Sequence, residues 1–232
     1  MKRWRTVLFC GILAGCLTAW TVSGAAQVPP STEEVSRYTG ILAAAARGDA
    51  GQIERLLAQG ERPDMKDEYG RTPLHVAVFG SHLDAMRVLA KSGVDPNTLE
   101  NDRYDIVTIA AVANDVPALQ TALEIGGSAR NITSRYDGTA LIAAAHLGHA
   151  EVVRILIAAG APLDHVNNLG WTALIESILL GDGGSRHTET LRALVEAGAD
   201  VNITDRQGKT PLALARARGY ARMVEILQKG KP

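Results

Sequence analysis

Side chains capable of covalent or metal chemistry are few in this chain, and their spacing does not serve it. Both cysteines, Cys10 and Cys16, lie within the first 26 residues, so the remainder has neither a disulfide nor a thiolate ligand. Of the six histidines, His146 and His149 are three apart, but Gly148 between them should end a helix and spoil a ligand pair. No histidine–carboxylate cluster has ligand spacing, and no metal is expected. The sequence contains no Gly-x-Ser-x-Gly elbow, no phosphate-cradling glycine loop with Lys-Ser/Thr and no His-Glu-x-x-His. Gly181-Asp182-Gly183-Gly184 is too short for a phosphate loop. A non-catalytic protein without cofactor is expected.

Recognition chemistry is better represented. Beyond residue 26 the aromatic residues are Tyr38, Tyr69, Tyr104, Tyr136, Tyr220, Trp171 and Phe79. Tyr69, Tyr104, Tyr136 and Trp171 each fall just before the same point of a recurring phrase, which would set four rings in a row. Tyrosine and tryptophan dominate binding hot spots, so these four are candidate protein-binding residues. Arg71, Arg103 and Arg135 accompany them and would orient a partner. The competing reading is that the rings brace neighbouring loops and that most loop charges are turn residues with local hydrogen bonds. His187 sits in a glycine-rich insertion and is expected on an exposed, mobile loop.

The elements that must position these residues follow from the phrase itself. It reads Thr72-Pro73-Leu74-His75, Thr139-Ala140-Leu141-Ile142, Thr172-Ala173-Leu174-Ile175 and Thr210-Pro211-Leu212-Ala213, with a blurred copy at Ile106-Val107-Thr108-Ile109. The threonine-like position falls at 72, 106, 139, 172 and 210, with steps of 34, 33, 33 and 38. A fixed period in the thirties means stacked supersecondary units. Threonine suits a helix N-cap and proline the first turn. A second helix follows, such as Ala150–Ala159, with apolar residues at helical spacing and Gly160 as its cap.

Gly70-Arg71-Thr72-Pro73-Leu74-His75, Gly148-His149-Ala150-Glu151-Val152-Val153 and Ala197-Gly198-Ala199-Asp200-Val201-Asn202 closely resemble the ankyrin repeat. The resemblance covers residues 38–230 in about six units: 38–68, 69–102, 103–135, 136–168, 169–206 and 207–230. It implies an all-α repeat solenoid of stacked helix pairs with protruding β-hairpin-like loops. It also implies a protein-binding scaffold or adaptor that works through the hairpin tips and inner helices, with His75 bracing adjacent loops. Two departures stand out. The third unit lacks the turn glycine, has Asn114-Asp115 in place of Gly-His, and its register is ambiguous by one residue. The fifth is longer by about five residues around 181–187.

Residues 1–26 read as an export signal: Lys2, Arg3 and Arg5, then an uncharged apolar run from Val7 to Val22, shorter than the ~20 residues that span a bilayer. Leu13-Ala14-Gly15-Cys16 resembles a bacterial lipobox, which would make Cys16 a lipidation site; Ser23 to Ala26 resembles a signal peptidase site near Ala26. Both routes stay open, and either gives a periplasmic protein, soluble or lipid-anchored. Removing the signal deletes three basic residues and no acidic ones, taking the net charge from −1 to −4. That balance argues against nucleic acid. Residues 27–37 read as a tether, and a monomer is expected. The second functional reading is an accessory protein that modulates a periplasmic enzyme, such as one in peroxide defence.

Overall fold

Each threonine opens a helix for the reason its chemistry suggests. Thr72, Thr139, Thr172 and Thr210 sit in extended backbone, and each Oγ1 accepts from the N–H three residues on, at 3.4, 3.3, 3.3 and 3.2 Å. Pro73 and Pro211 take the first helical position, where an N–H would have no partner. The computed structural model describes residues 27–230. The expectations for the export signal, Cys16 and cleavage near Ala26 therefore lie outside the described residues.

Within them the chain is helical: α1 (Thr32–Arg37), then six pairs. These are α2 (Gly40–Arg47) with α3 (Ala50–Ala58), α4 (Pro73–Phe79) with α5 (Leu83–Lys91), and α6 (Ile106–Val112) with α7 (Val116–Glu124). They continue as α8 (Ala140–Leu147) with α9 (Ala150–Ala158), α10 (Ala173–Leu179) with α11 (Ser185–Glu196), and α12 (Pro211–Ala217) with α13 (Ala221–Lys229). The even-numbered helices α2 to α12 pack as an inner row, the odd-numbered helices α3 to α13 as an outer one, each touching its neighbour in the row and its own pair mate. The architecture is an all-helical repeat solenoid.

The blurred phrase, whose register the sequence leaves ambiguous by one residue, takes the earlier of the two starts. Asp105, not Ile106, is the cap of α6, because its Oδ1 accepts from Thr108 N–H at 2.8 Å. Thr39 caps α2 without a side-chain bond, and Glu61 Oε1 takes over by accepting from Ile41 N–H at 2.7 Å. Inner caps therefore fall at 39, 72, 105, 139, 172 and 210. Two residues on, Ile41, Leu74, Val107, Leu141 and Leu174 are fully buried. Five residues on, Ala44, Ala77, Ala110, Ala144 and Ala215 are buried too, and their small size lets neighbouring inner helices approach closely. Fourteen residues after the cap the outer helices bury Ile53, Met86, Leu119 and Val153.

The fifth unit keeps this register after a shift of five. Leu191 and Leu194 stand nineteen and twenty-two residues after Thr172 and are fully buried, as Val153 and Leu156 are at fourteen and seventeen after Thr139. The insertion does not form a loose loop. Ser185 to His187 are the first turn of the lengthened α11, and Gly184 N–H is held by Asp182 Oδ1 at 2.9 Å.

Residues 27–37 differ from a tether in the same way. Ser31 and Glu34 form a reciprocal capping box that starts α1. Arg71 ties this segment to the stack, donating to Glu34 Oε1 at 3.0 Å and to the Val28 carbonyl at 3.3 Å.

Candidate interaction surface

The loops between units are built on one acceptor per hairpin. Asp67, Glu100, Ser134, Asn167 and Asp205 each stand five residues before an inner cap. Asp67 Oδ1 accepts from Tyr69 and Arg71 N–H, both at 2.9 Å; Asn167 Oδ1 from Leu169 and Trp171 N–H, both at 3.0 Å. Glu100, Ser134 and Asp205 accept from equivalent backbone groups. The residue two before the cap must then adopt the left-handed region, where Gly70, Gly170 and Gly208 have φ of 74°, 84° and 71°. Arg103 has to do the same at φ 68°, which explains how the third unit turns without its glycine. Successive hairpins are joined by Asn101 N–H to the Tyr69 carbonyl (3.0 Å), Ser134 N–H to the Arg103 carbonyl (2.9 Å) and Asn168 N–H to the Tyr136 carbonyl (2.9 Å).

The structure separates the expected aromatic row into two kinds. Tyr104 and Trp171 are half-buried and packed against the core, so they brace the stack. Tyr136 is half-buried. Tyr69 is 47% exposed, with the Arg71 guanidinium carbon 4.5 Å from its ring centroid. Arg71 itself is only 2% exposed and its Nε donates to Asp67 Oδ2 at 2.7 Å. It is an internal clamp, not a partner-facing charge. Asp67 also accepts from the Tyr38 hydroxyl at 2.6 Å. Burial, then this bond, raises the phenol well above its ordinary value. Glu34 is held down to about 2, first by the Ser31 N–H and further by Arg71. Arg103 and Arg135 remain half-exposed on the hairpin edge, 3.7 Å from Asp137 and 2.6 Å from Asp102. Ion pairs this exposed contribute little to stability.

Histidines act between units. His75 Nδ1 lies 2.8 Å from Thr72 Oγ1 and accepts from Thr72 N–H at 3.2 Å, so Nε2 carries the proton and donates to the Thr98 carbonyl at 3.0 Å. Burial pushes this ring down to about 4. Ten residues after their caps, His82, His149 and Tyr220 each donate to a carbonyl near the end of the preceding inner helix: Ala46, Ala111 and Gly181, at 3.1, 3.0 and 3.0 Å. His187 belongs to this ladder. It is 6% exposed, its Nε2 reaches the His146 carbonyl at 2.9 Å and its Nδ1 faces Asp182 Oδ1 at 2.8 Å. Its expected exposure was wrong because the five-residue insertion moves the bridging position from ten to fifteen after the cap; subtracting the insertion identifies it. In the third unit Asp115 holds the equivalent place and caps α7 instead, accepting from Ala118 N–H at 2.9 Å.

One polar pair escaped the sequence reading. Glu176, on α10, is 5% exposed; its Oε1 accepts from Asn167 Nδ2 at 2.8 Å and its Oε2 lies 3.5 Å from His146 Nδ1. Burial pushes its carboxyl up to about 7, with Asn167 opposing, and burial lowers His146. Among the described residues no three His, Cys, Asp or Glu side chains are grouped so as to share a metal ion. A surface depression of 330 Å³ beside α9 and α11 is lined by both signs, with Arg154 and Glu189 3.6 Å apart.

A family model described as ankyrin repeats (3 copies) matches residues 27–100 and 107–205. The chain belongs to the ankyrin-repeat family. It is 31% identical to the ankyrin repeat protein YahD of Escherichia coli strain K12 over 187 residues, covering 80% of this chain and 92% of YahD. It is 28% identical to the human Ankyrin repeat and SOCS box protein 16, covering 90% of this chain but 46% of that longer protein. The crystal structure of an ankyrin repeat domain from Acinetobacter baumannii AYE superposes with a TM-score of 0.76 at 41% identity, covering 81% of this chain and 95% of that one. Ankyrin repeats mediate protein–protein interaction, and their fold is generally a non-catalytic scaffold.

Proposed function

We propose that this ankyrin protein is an adaptor that binds a protein partner outside the cytoplasm, through its hairpin edge and the open side of its inner helices. The observation that carries this reading is the mutual bonding of the hairpins. Their tips are tied to one another backbone to backbone, while Tyr69, Ile132 and Val166 stay substantially exposed beside them. A preordered surface loses little freedom on docking, which favours affinity. Placement outside the cytoplasm is supported by the basic and apolar pattern of residues 1–26.

Capture from the cells that produce the protein tests the adaptor role, with Tyr69→Ala/Ile132→Ser/Val166→Ser as a control chosen from exposed positions. A partner retained by the native chain and lost by the folded control is the expected result; retention by both would remove the hairpin edge. The second reading, modulation of a periplasmic enzyme, requires the captured partner to change its turnover when the purified protein is added. Fractionation with N-terminal mass analysis tests localisation. A lipidated Cys16 or a start near Gln27 is expected, and an intact Met1 in the cytoplasm would contradict it.

A further inference from the structure

The inner helices turn one side away from the core, and that side has a single chemical character except at one place. Seven residues after each cap stand Ala46, Phe79, Val112, His146, Leu179 and Ala217, none of them fully buried. Four residues after each cap, one turn back, stand Ala43, Val76, Ile109, Ala143, Glu176 and Leu214; Val76, Ile109, Glu176 and Leu214 are buried and form the floor beneath the outward positions. The face is apolar along the row apart from His146 and Glu176, which meet where α8 packs on α10.

Glu176 is not required there by the fold, since the five other units hold apolar residues at its position. Its only ion-pair neighbour among the described residues is His146, 3.5 Å away, a ring whose charged form burial disfavours. A carboxylate this buried without a cation is destabilising in its charged form. By contrast, the partly buried Asp67 and Glu34 share the guanidinium of Arg71.

We propose that Glu176 is the charge-reading group of this face and takes the ammonium or guanidinium of one lysine or arginine in a partner polypeptide, whose apolar side chains lie along Leu179, Val112 and Phe79. The assignment rests on the protein-binding reading above and names the chemistry of the partner. Inner helices stack about 8–10 Å apart and an extended chain rises about 3.3 Å per residue. The partner's apolar residues should therefore recur roughly every third position from the basic one. A cation placed against Glu176 would also return its carboxyl to the ordinary carboxylate range.

Selection of random twelve-residue peptides against the purified protein, repeated against Glu176→Gln, tests this directly. Expected are peptides with one lysine or arginine among apolar residues, binding the native protein about tenfold or more tightly than the variant. Selected peptides that lack a basic residue, or that bind both proteins equally, would overturn the role of Glu176 while leaving protein binding in place. Absence of any enrichment would overturn both. The glutamine variant keeps the acceptor for Asn167, and a melting curve confirms that it is folded.

Discussion

Glu176 and His75 titrate against each other, and the pH dependence of stability depends on both. Glu176 is raised from 4.5 to about 7, so its contribution is complete below the unfolded value and lost as pH rises through 7. His75 is lowered from 6.5 to about 4, so its contribution is complete above 6.5 and lost as pH falls through 4. Each is worth on the order of 3 kcal/mol. Between about pH 4.5 and 6.5 the two slopes oppose, and stability should be nearly flat. Glu176→Gln removes one of them: the unfolding free energy from urea titration should then rise by about 1–3 kcal/mol at pH 8 and fall steadily on acidification below 6.5. An unchanged pH profile would mean that Glu176 is ionised in the fold.

Thr190 is a second residue out of register. Ala85, Ala118, Val152 and Met223 hold its place in four other units, and its buried hydroxyl has no hydrogen-bond partner. Thr190→Val should stabilise by about 1 kcal/mol, read from urea unfolding; a loss of stability would reveal an unseen partner. At this scale the sequence was a partial guide. His75 was legible because its phrase is local. Glu176 was not, because the histidine it faces stands thirty positions away in another unit, and Arg71 looked exposed because one of the acids that enclose it, Glu34, lies on a separate helix.

At the level of elements, helix starts were legible wherever a threonine or proline marks them. The third unit stayed ambiguous by one residue because an aspartate, and not a threonine, serves as its cap. Two segments read as irregular are ordered for the same reason: short polar side chains close backbone turns that composition alone labels as linker. Ser31 starts α1, and Asp182 holds the turn before α11. Arg71 then fastens α1 to the stack, and Arg71→Ala would leave Glu34 and Asp67 enclosed without a cation, which strongly destabilises such a pair. Because α1 is peripheral, it should undock before the solenoid unfolds. Tryptic cleavage after Arg37 should accelerate about tenfold or more while the main melting transition moves by only a few degrees. Unaltered cleavage would show that α1 is held by other contacts. The aromatic row divides at this scale as well: Trp171→Ala and Tyr104→Ala should each lower stability by about 2–4 kcal/mol, and Tyr69→Ala by about 0.5 or less. Equal losses at all three would contradict the division into braces and an exposed tip.

For the whole molecule, six units in a row make stability a sum of units and their interfaces, and function a property of the side that the stack leaves open. That the chain is a solenoid was legible from the period alone. Which side it offers was not, because exposure along the inner row is set by neighbouring units. The measurement that bears most directly on this is hydrogen exchange of the protein with and without its captured partner. Binding on the open side requires new protection in the hairpins around Tyr69, Arg103 and Arg135 and in α4, α8 and α10, with α5, α7 and α9 unchanged. Protection concentrated on those outer helices, or none anywhere, would contradict it.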